Sequence, residues 1–336
     1  MQPDSASQQR GLTLAASSDW HRALTMLVIA APALVLLAMR EWGEMAHQWW
    51  NIATYSHILL IPFIVGWLAW DRRADLARIS PQASWIGVTL FVAACALWVA
   101  GRANGINLLA HAGGVGMLQA AILAILGVRA AALLALPLGM MVFLVPFGQE
   151  IVPPMQAITA RLAIVLTHWS GVPAETNGIF INTPAGLFVV AEACSGVNFL
   201  IAAFAIGVLV CFTAFDSWAR RAAFMAASIL VPILANGVRA WGTIYVAQSQ
   251  GIEFAAGFDH IVYGWIFFAI VLAILIGGAR PFFQRVPEEA GLSVEETDRN
   301  PIVRTLQRGD GRFGPVFTAM ALIAVVTAIA ASQLGG

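Results

Sequence analysis

Long apolar runs separated by short polar segments make up most of this chain. A helix that crosses the hydrocarbon core of a bilayer needs about 20 mostly apolar residues, which is close to the length of these runs. They cover residues 23–39, 57–70, 84–100, 106–126, 130–147, 195–214, 222–238, 261–278 and 316–333. The pattern predicts an all-α polytopic membrane protein with about nine transmembrane helices.

The segment between the fifth and sixth runs has a different pattern. Its first part carries Pro153, Pro154 and Arg161 in a moderately amphipathic stretch that ends at Trp169, as in a helix that lies in the membrane interface. The stretch "NGIFINTPAGLFVV" then combines short runs of Ile, Phe and Val with turn-forming Asn, Gly and Pro. We therefore expect a small interfacial helix followed by a β-hairpin, directly before Cys194.

Composition supports a membrane protein and excludes some kinds of chemistry. Hydrophobic residues make up 60% of the chain, charged residues only 11%, and the mean hydropathy is +0.79. Every basic residue is arginine, so chemistry that needs a lysine amine, such as a Schiff base, is excluded. The sequence contains no glycine-rich nucleotide loop and no metal-ligand spacing, and we expect no cofactor, no metal and no nucleic-acid partner.

The positions of the arginines predict the orientation in the membrane. Short cytoplasmic loops carry an excess of positive charge. Arginines follow four of the apolar runs on one predicted side, at Arg72, Arg73, Arg78, Arg129, Arg220, Arg221, Arg280 and Arg285. The loops around 41–56, 101–105, 148–194 and 239–260 then face the other side. The interfacial helix, the hairpin and Cys194 are therefore expected on the extracytoplasmic face.

Three polar residues at the outer ends of apolar runs are the strongest candidates for chemistry. They are Cys194 in "EACSG", Arg239 in "LANGVRAWG" and His260 in "GFDHIVYGW". A cysteine at the start of a helix lies where the partial positive charge of the amide end favours the thiolate. Together the three residues supply a nucleophile, an acid or base and a fixed cation, which are the groups needed for acyl transfer through a thioester.

Each of these residues also has a purely structural interpretation. Cys194 could be a small packing residue, as we expect Cys95 and Cys211 to be, because both lie inside apolar runs. Arg239 could mark a helix end and extend its guanidinium to the lipid headgroups. His260 could bond a backbone carbonyl at the interface. The predicted placement of all three at one membrane face favours the functional interpretation.

Further residues are candidates for supporting or substrate-binding roles. Asn236 lies one helical turn before Arg239 and could hold the guanidinium, and Asp259 could orient the ring of His260. Ser195 could replace Cys194 as nucleophile, but no better base is available to it. Glu192 could position a substrate amine, although a solvated carboxylate is favoured. Tyr55 and His57 could line the pocket, although interfacial anchors are the simpler interpretation.

These patterns divide the chain into four parts. Residues 1–22 are expected to form a cytoplasmic N-terminal tail, and residues 23–278 a multi-helix membrane domain that contains the catalytic candidates. Residues 279–315 carry mixed charges, prolines and glycines, which is typical of a polar cytoplasmic linker. Residues 316–336 form a C-terminal transmembrane helix.

The three motifs "EACSG", "NGVR" and "DHIVYGW" resemble the Cys, Arg and His motifs of the exosortase/archaeosortase family of multi-pass transpeptidases. The resemblance extends over roughly residues 50 to 280. It includes "YSH" at Tyr55–His57 and "VPFGQEIVPP" before the interfacial segment. One departure is Asn198, which stands where many members of the family carry a basic or aromatic residue.

The resemblance implies a function and a place in the cell. It implies cleavage of exported proteins that end in a short motif, a transmembrane helix and a basic tail, the signals called PEP-CTERM in bacteria, and their transfer to an envelope acceptor. Cys194 would attack the scissile carbonyl, His260 would act as acid and base, and Arg239 would stabilise the oxyanion or the thiolate. The implied location is the bacterial cytoplasmic (inner) membrane, with the active site on the extracytoplasmic face.

Two other functions remain open on sequence grounds, and a third is disfavoured. A multi-pass transporter is the main alternative, although transporters usually place ionisable residues near the membrane midplane rather than at one face. A purely hydrolytic intramembrane cysteine protease would use the same three residues with water as the acceptor. A membrane thiol oxidoreductase is disfavoured because the three cysteines form no Cys-x-x-Cys pair.

Overall fold

The structure is a computed structural model. It describes residues 5–252, 260–286 and 290–333, with side chains described in 18–252, 264–286 and 290–333. Within these ranges, eight helices are long and apolar enough to cross a membrane, or up to nine if Ala135–Leu144 and Gln149–Trp169 together form one broken span. The predicted all-α polytopic architecture is confirmed.

The regular elements follow one another in this order along the chain. The helices are α1 (Ser5–Leu37), α2 (Met39–Asn51), α3 (Ile61–Asp71), α4 (Arg73–Leu76), α5 (Trp85–Ala103), α6 (Asn107–Leu133), α7 (Ala135–Met140), α8 (Val152–Trp169), α9 (Val197–Ala214), α10 (Trp218–Gln250), α11 (His260–Ala279), α12 (Val294–Arg299), α13 (Pro301–Leu306) and α14 (Phe313–Ser332). The strands are β1 (Ala83–Ser84), β2 (Glu175–Asn177), β3 (Phe180–Thr183), β4 (Gly186–Val189) and β5 (Asp310–Gly311). Short 3₁₀ turns include Ala53–Leu60 and Glu192–Cys194.

The chain forms two compact units. The first comprises Met1–Asn51, Ile58–Pro146 and Gly291–Gly336, and the second comprises Ile52–His57 and Phe147–Ala290. Cys194, Asn236 and Arg239 all belong to the second unit. The first unit is built on helices α5 and α6, and the second on helices α8 to α11 with strands β2 to β4.

Glycines allow α5 and α6 to approach each other closely at the centre of the first unit. A Cβ atom added to Gly87 would lie 2.2 Å from the backbone nitrogen of Ala124, and one added to Gly113 would lie 2.5 Å from that of Trp98. Such close backbone approach is typical of helix pairs in membranes, where small residues at the interface permit extensive van der Waals contact. The large buried rings of Phe91 and Trp98 pack in the same core.

The break predicted between the fourth and fifth apolar runs is present at Gly127, but the helix after it differs from the expected one. Gly127 is the only non-helical residue inside α6, with φ 85° and ψ 170°, and the helix resumes after it up to Leu133. The backbone of Gln82 crosses at this point, because a Cβ on Gly127 would lie 1.9 Å from the Gln82 carbonyl oxygen. The expected single helix over 130–147 is therefore replaced by the end of α6, the short α7 and a 3₁₀ turn.

The two segments expected to be a tail and a linker contain regular structure. Helix α1 begins at Ser5, well before residue 23. In the stretch 290–315, α12 begins with a capping box between Ser293 and Glu296, and β5 pairs with β1. Arg129 on α6 donates two hydrogen bonds to the carboxylate of Asp298, at 2.7 and 2.6 Å. The polar composition of this stretch therefore belongs to a folded cap on the first unit, at least over the described residues.

The second unit contains the helix and the hairpin expected before Cys194. Helix α8 begins with two prolines in its first turn, where the missing amide hydrogens cost no helical bond. Strands β2, β3 and β4 form an antiparallel sheet in that order, so the predicted hairpin is confirmed and gains a third strand. Ile181 of β3 is buried against α8 and α10, which fixes the sheet on the helices. The interfacial position of α8 stays a prediction.

Candidate active site

Cys194 lies in a 3₁₀ turn just ahead of α9. The turn spans Glu192–Cys194, and the amide of Cys194 donates to the carbonyl of Ala191 at 2.9 Å. Ser195 and Gly196 separate Cys194 from Val197, the first residue of α9. The sequence placed the cysteine at the start of the helix itself. The difference arises because Gly196 adopts a left-handed conformation, with φ 81°, that interrupts the helical path.

A pair of buried polar side chains holds this turn in place. The side-chain amide of Asn236 on α10 donates to the Cys194 carbonyl at 2.9 Å and to the hydroxyl of Thr159 at 3.0 Å. Thr159 on α8 in turn donates to the Ser195 carbonyl at 3.2 Å. Thr159 is fully buried and Asn236 is 2% exposed, so water does not compete for these bonds. We refer to Asn236 and Thr159 as the clamp.

The clamp also explains why residue 196 is glycine. A Cβ on Gly196 would lie 2.6 Å from the Cγ atom of Asn236, far inside van der Waals contact. Any larger residue would push the amide away from the Cys194 carbonyl, in addition to the strain of the left-handed backbone. The sequence suggested that Asn236 holds the guanidinium of Arg239. The two hydrogen bonds that its Nδ2 atom donates go to the Cys194 carbonyl and to Thr159, a role that the sequence did not suggest.

Arg239 is buried inside a long helix. Helix α10 continues to Gln250, so Arg239 does not mark a helix end as the interpretation of a headgroup anchor requires. Its side chain is on the same face as Asn236, one turn earlier, and the residue is 5% exposed. The guanidinium carbon lies 5.1 Å from the centre of the Phe199 ring, which stacks on Phe268 of α11 at 4.8 Å. This aromatic contact stabilises a cation in an apolar setting.

Helix α11 approaches Arg239 closely at Gly264. A Cβ on Gly264 would lie 3.7 Å from the Nη1 atom of Arg239 and 3.5 Å from the Phe199 ring. His260 is the first residue of α11 and precedes Gly264 by one turn, so positions 260 and 264 share a helix face. The side chain of His260 and the whole of Asp259 lie outside the described residues.

Cys194 and Arg239 line the same small pocket of about 70 Å³ in the second unit. One wall is the sheet and the other is α10. The remaining lining residues are Ile181, Phe188, Val189, Val190, Asn236, Ala240, Thr243 and Ile244. The structure therefore brings the candidate nucleophile and the candidate cation to one cavity. Among the residues with described side chains, no group of three or more His, Cys, Asp or Glu residues is arranged to hold a metal ion.

The family model for the transmembrane exosortase (Exosortase_EpsH) matches residues 49–277, more than half of the chain. This chain belongs to the exosortase family. Membership supports a membrane transpeptidase of the exosortase type that processes exported proteins. The matched range contains Cys194, Arg239 and His260, as well as the clamp. No curated protein and no solved structure matches the chain.

Other residues proposed from the sequence of this exosortase have varied surroundings. Glu192 is exposed beside Cys194, in line with a solvated carboxylate. Ser195 is 1% exposed, and its hydroxyl accepts a weak hydrogen bond from the amide of Val197 at 3.4 Å, so it helps to cap α9. Asn198 is half-buried in the first turn of α9.

Tyr55 and His57 are both buried in the second unit. The hydroxyl of Tyr55 donates to the side-chain oxygen of Gln149 at 3.3 Å. Neither residue is among those that line the pocket with Cys194. A direct role in that pocket, which the sequence left open, therefore has no support from the described geometry.

Thr159 was not recognised from the sequence. A threonine inside a helix usually bonds a carbonyl of its own helix, as Thr167 on the same helix does with Ala163 at 2.7 Å. Nothing in the local sequence of α8 distinguishes the two threonines. Gln156, one turn before Thr159, was also missed. It donates to the Val190 carbonyl at 2.7 Å and so fixes the end of β4 next to the turn.

Thr159→Val is expected to loosen the turn that carries Cys194. The change keeps the shape of the side chain but leaves the buried Ser195 carbonyl without its side-chain donor, a loss of about 1–3 kcal/mol. Hydrogen exchange of residues 191–197 should become faster by about five- to a hundredfold, since 1.4 kcal/mol corresponds to a factor of ten. Thr167→Val is the matched control, and equal acceleration by both variants would contradict the clamp.

Proposed function

We propose that this protein is a membrane cysteine transpeptidase that cleaves C-terminal sorting signals of exported proteins through a thioester on Cys194. The observation that carries the proposal is the shared pocket, whose lining includes both the half-buried Cys194 and the buried Arg239. A nucleophile and a fixed cation that line one pocket form an arrangement suited to acyl transfer. The family assignment supports the same class of reaction.

Each of the three residues has a defined step in the proposed reaction. The thiol of Cys194 gives its proton to His260, and the sulfur then attacks the scissile carbonyl. Arg239 stabilises the negative charge on the carbonyl oxygen in the tetrahedral intermediate. His260 returns the proton to the leaving amine as the C–N bond breaks and the thioester forms. An acceptor amine then attacks the thioester carbonyl, the C–N bond forms as the C–S bond breaks, and the proton lost by the amine passes through His260 to the sulfur and regenerates the thiol.

The position of Gly264 supports the role proposed for His260. A glycine at 264 allows α11 to lie against Arg239 and Phe199, and position 260 is on the same face one turn earlier. This placement is suited to an imidazole that serves the reaction at Cys194. The clamp supports the role of Cys194, because a nucleophile held by main-chain contacts keeps its geometry while the substrate binds.

A substrate anchored by its own transmembrane helix explains why the nucleophile belongs to a membrane protein. Shared insertion in one bilayer restricts the scissile bond and the thiol to similar depths, which raises their effective concentration. We propose the extracytoplasmic face of the bacterial inner membrane as the site of reaction, because arginine-rich loops are expected on the cytoplasmic side.

Co-expression with a reporter tests this function. The reporter is an exported protein that ends in a short motif, an apolar helix and a basic tail, taken from the genome that encodes this chain. We expect a shortened reporter only when the intact protein is present. The intact mass of the shortened reporter shows whether water or an envelope amine is the acceptor. Hydrolysis by water leaves a free carboxylate, whereas transfer to an amine adds the mass of that acceptor. An uncleaved reporter in cells that contain the protein in their membrane would contradict the proposal.

Thiol labelling tests on which face of the membrane Cys194 lies. A maleimide that does not cross membranes should label Cys194 in intact spheroplasts, because this cysteine is partly exposed. Cys95 and Cys211 are 3% and 2% exposed and should stay unlabelled, so they serve as internal controls. Labelling of Cys194 only in inverted vesicles would place the reaction on the cytoplasmic side and contradict the proposed orientation.

A further inference from the structure

The pocket beside Cys194 is lined mainly by apolar side chains. Its walls are formed by Ile181, Phe188 and Val190 on the sheet side and by Ala240 and Ile244 on α10. Ile181 and Ile244 are 1% and 3% exposed, so both are held rigidly by the core behind them. Asn236, Arg239 and Thr243 add polar groups to the lining, but these apolar walls favour an apolar side chain, because a charged group buried against them would lose its hydration.

The volume of the pocket limits what can enter. A cavity of roughly 150 Å³ lined by aliphatic and aromatic side chains accommodates a benzene ring. The pocket beside Cys194 has about 70 Å³, less than half of that volume. A phenyl ring or an indole is therefore too large to be enclosed there, whereas a side chain of about three or four carbons is not.

We propose that this pocket is a specificity site for a small aliphatic side chain on the substrate residue that carries the scissile carbonyl. The inference rests on the proposed function, and it adds the chemical class of the residue that is cleaved. A side chain seated between the sheet and α10 would hold its own carbonyl next to Cys194. Burial of the apolar surface of this side chain stabilises the complex of enzyme and substrate. Because the walls are rigid, the buried side chain also fixes the orientation of the scissile carbonyl.

Substrate-like alkylating probes test the pocket without a natural substrate. The probes are peptidyl chloromethyl ketones that differ only in the residue next to the ketone, which is valine, phenylalanine or aspartate. The thiol of Cys194 loses its proton, its sulfur forms a bond to the methylene carbon, and chloride leaves. The rate of alkylation is measured by mass spectrometry on the purified full-length protein. We expect the valine probe to react at least about tenfold faster than the other two, a typical discrimination by an apolar pocket.

Two alanine variants test whether the pocket walls cause the preference for the valine probe over the phenylalanine probe. Ile244→Ala widens the pocket and should raise the rate with the phenylalanine probe, relative to valine, by about tenfold. Ile164→Ala is the matched control, because Ile164 is buried in the same hydrophobic cluster but does not line the pocket. It should leave the ratio of the two rates unchanged. A ratio altered equally by both variants would overturn the proposal.

Three results with the ketone probes would also overturn the proposed specificity site. Equal rates with valine and phenylalanine would overturn the size limit. A fastest reaction with aspartate would also overturn the proposal, since Arg239 would then select an acidic side chain. Failure of all three ketones to alkylate Cys194 would overturn it as well. None of these outcomes removes the proposed function, which is judged separately by processing of the reporter with and without the thiol of Cys194.

Discussion

Replacing Cys194 with alanine is expected to abolish processing of the reporter while the protein stays in the membrane at its normal level. The proposed thioester needs a thiol, and loss of a nucleophile lowers the rate by at least about a thousandfold. The fold should survive because the clamp bonds the main-chain carbonyl of Cys194, not its side chain. Processing is measured as the fraction of shortened reporter in membranes with matched amounts of protein.

Cys211→Ala is the matched control for the loss of a thiol. Cys211 lies on α9, is 2% exposed and donates a hydrogen bond through its sulfur to the Arg221 carbonyl at 3.3 Å. Its replacement should change processing by no more than a few-fold. Cys194→Ser should also be inactive, because a hydroxyl is a far weaker nucleophile without a strong base. Normal processing by the Cys194→Ala protein would end the assignment of this residue as nucleophile.

Arg239→Lys is expected to lower processing by about a hundredfold, although the charge is kept. Loss of one group that stabilises an oxyanion costs about 10²–10³ in rate. A lysine ammonium has neither the planar fork of donors nor the flat face that lies over Phe199. The loss should appear in kcat of the reporter reaction in proteoliposomes, while KM changes little, since the contact is proposed for the transition state.

Arg221→Lys provides a stringent control on the same helix. The guanidinium of Arg221 also lies over aromatic rings, at 4.8 Å from Phe212 and 4.9 Å from Trp218. Its hydrogen bond to the Phe215 carbonyl is a structural contact near the start of α10. We expect Arg221→Lys to process the reporter within a few-fold of the normal rate. Equal losses in the two lysine variants would mean that Arg239 stabilises the fold rather than the reaction.

Much of the architecture was predictable because bilayer-length apolar runs are strong signals. The failures occur where another part of the chain decides the local structure. The break in α6 at Gly127 falls in the predicted gap, but the continuation of α6 to Leu133 was missed, because the close approach of the Gln82 carbonyl, far away in sequence, shapes the chain there. The continuation of α10 beyond residue 238 was missed because Arg239 was taken as a possible helix end. The structure shows that its charge is buried against Phe199 inside the helix.

The candidate site was only partly predictable for the same reason. Cys194 and Arg239 could be found from the sequence because a thiol and a charge at the ends of apolar runs are unusual. The partner of Asn236 and the role of Thr159 could not, since both depend on how α8, α10 and the turn before α9 meet. The pocket could not be predicted either, because aliphatic residues such as Ile181 and Ile244 occur both in protein cores and in pocket walls.

Trapping the acyl-enzyme tests most directly whether Cys194 forms the proposed covalent bond. Membranes that contain the protein and the reporter are quenched in acid, and peptides covering residue 194 are analysed by mass spectrometry before and after hydroxylamine, which cleaves thioesters. We predict that the upstream reporter fragment is attached to Cys194 and is released by hydroxylamine. Processed reporter with its acyl fragment on another residue, or with a Cys194 peptide that never gains mass, would contradict the thioester on Cys194.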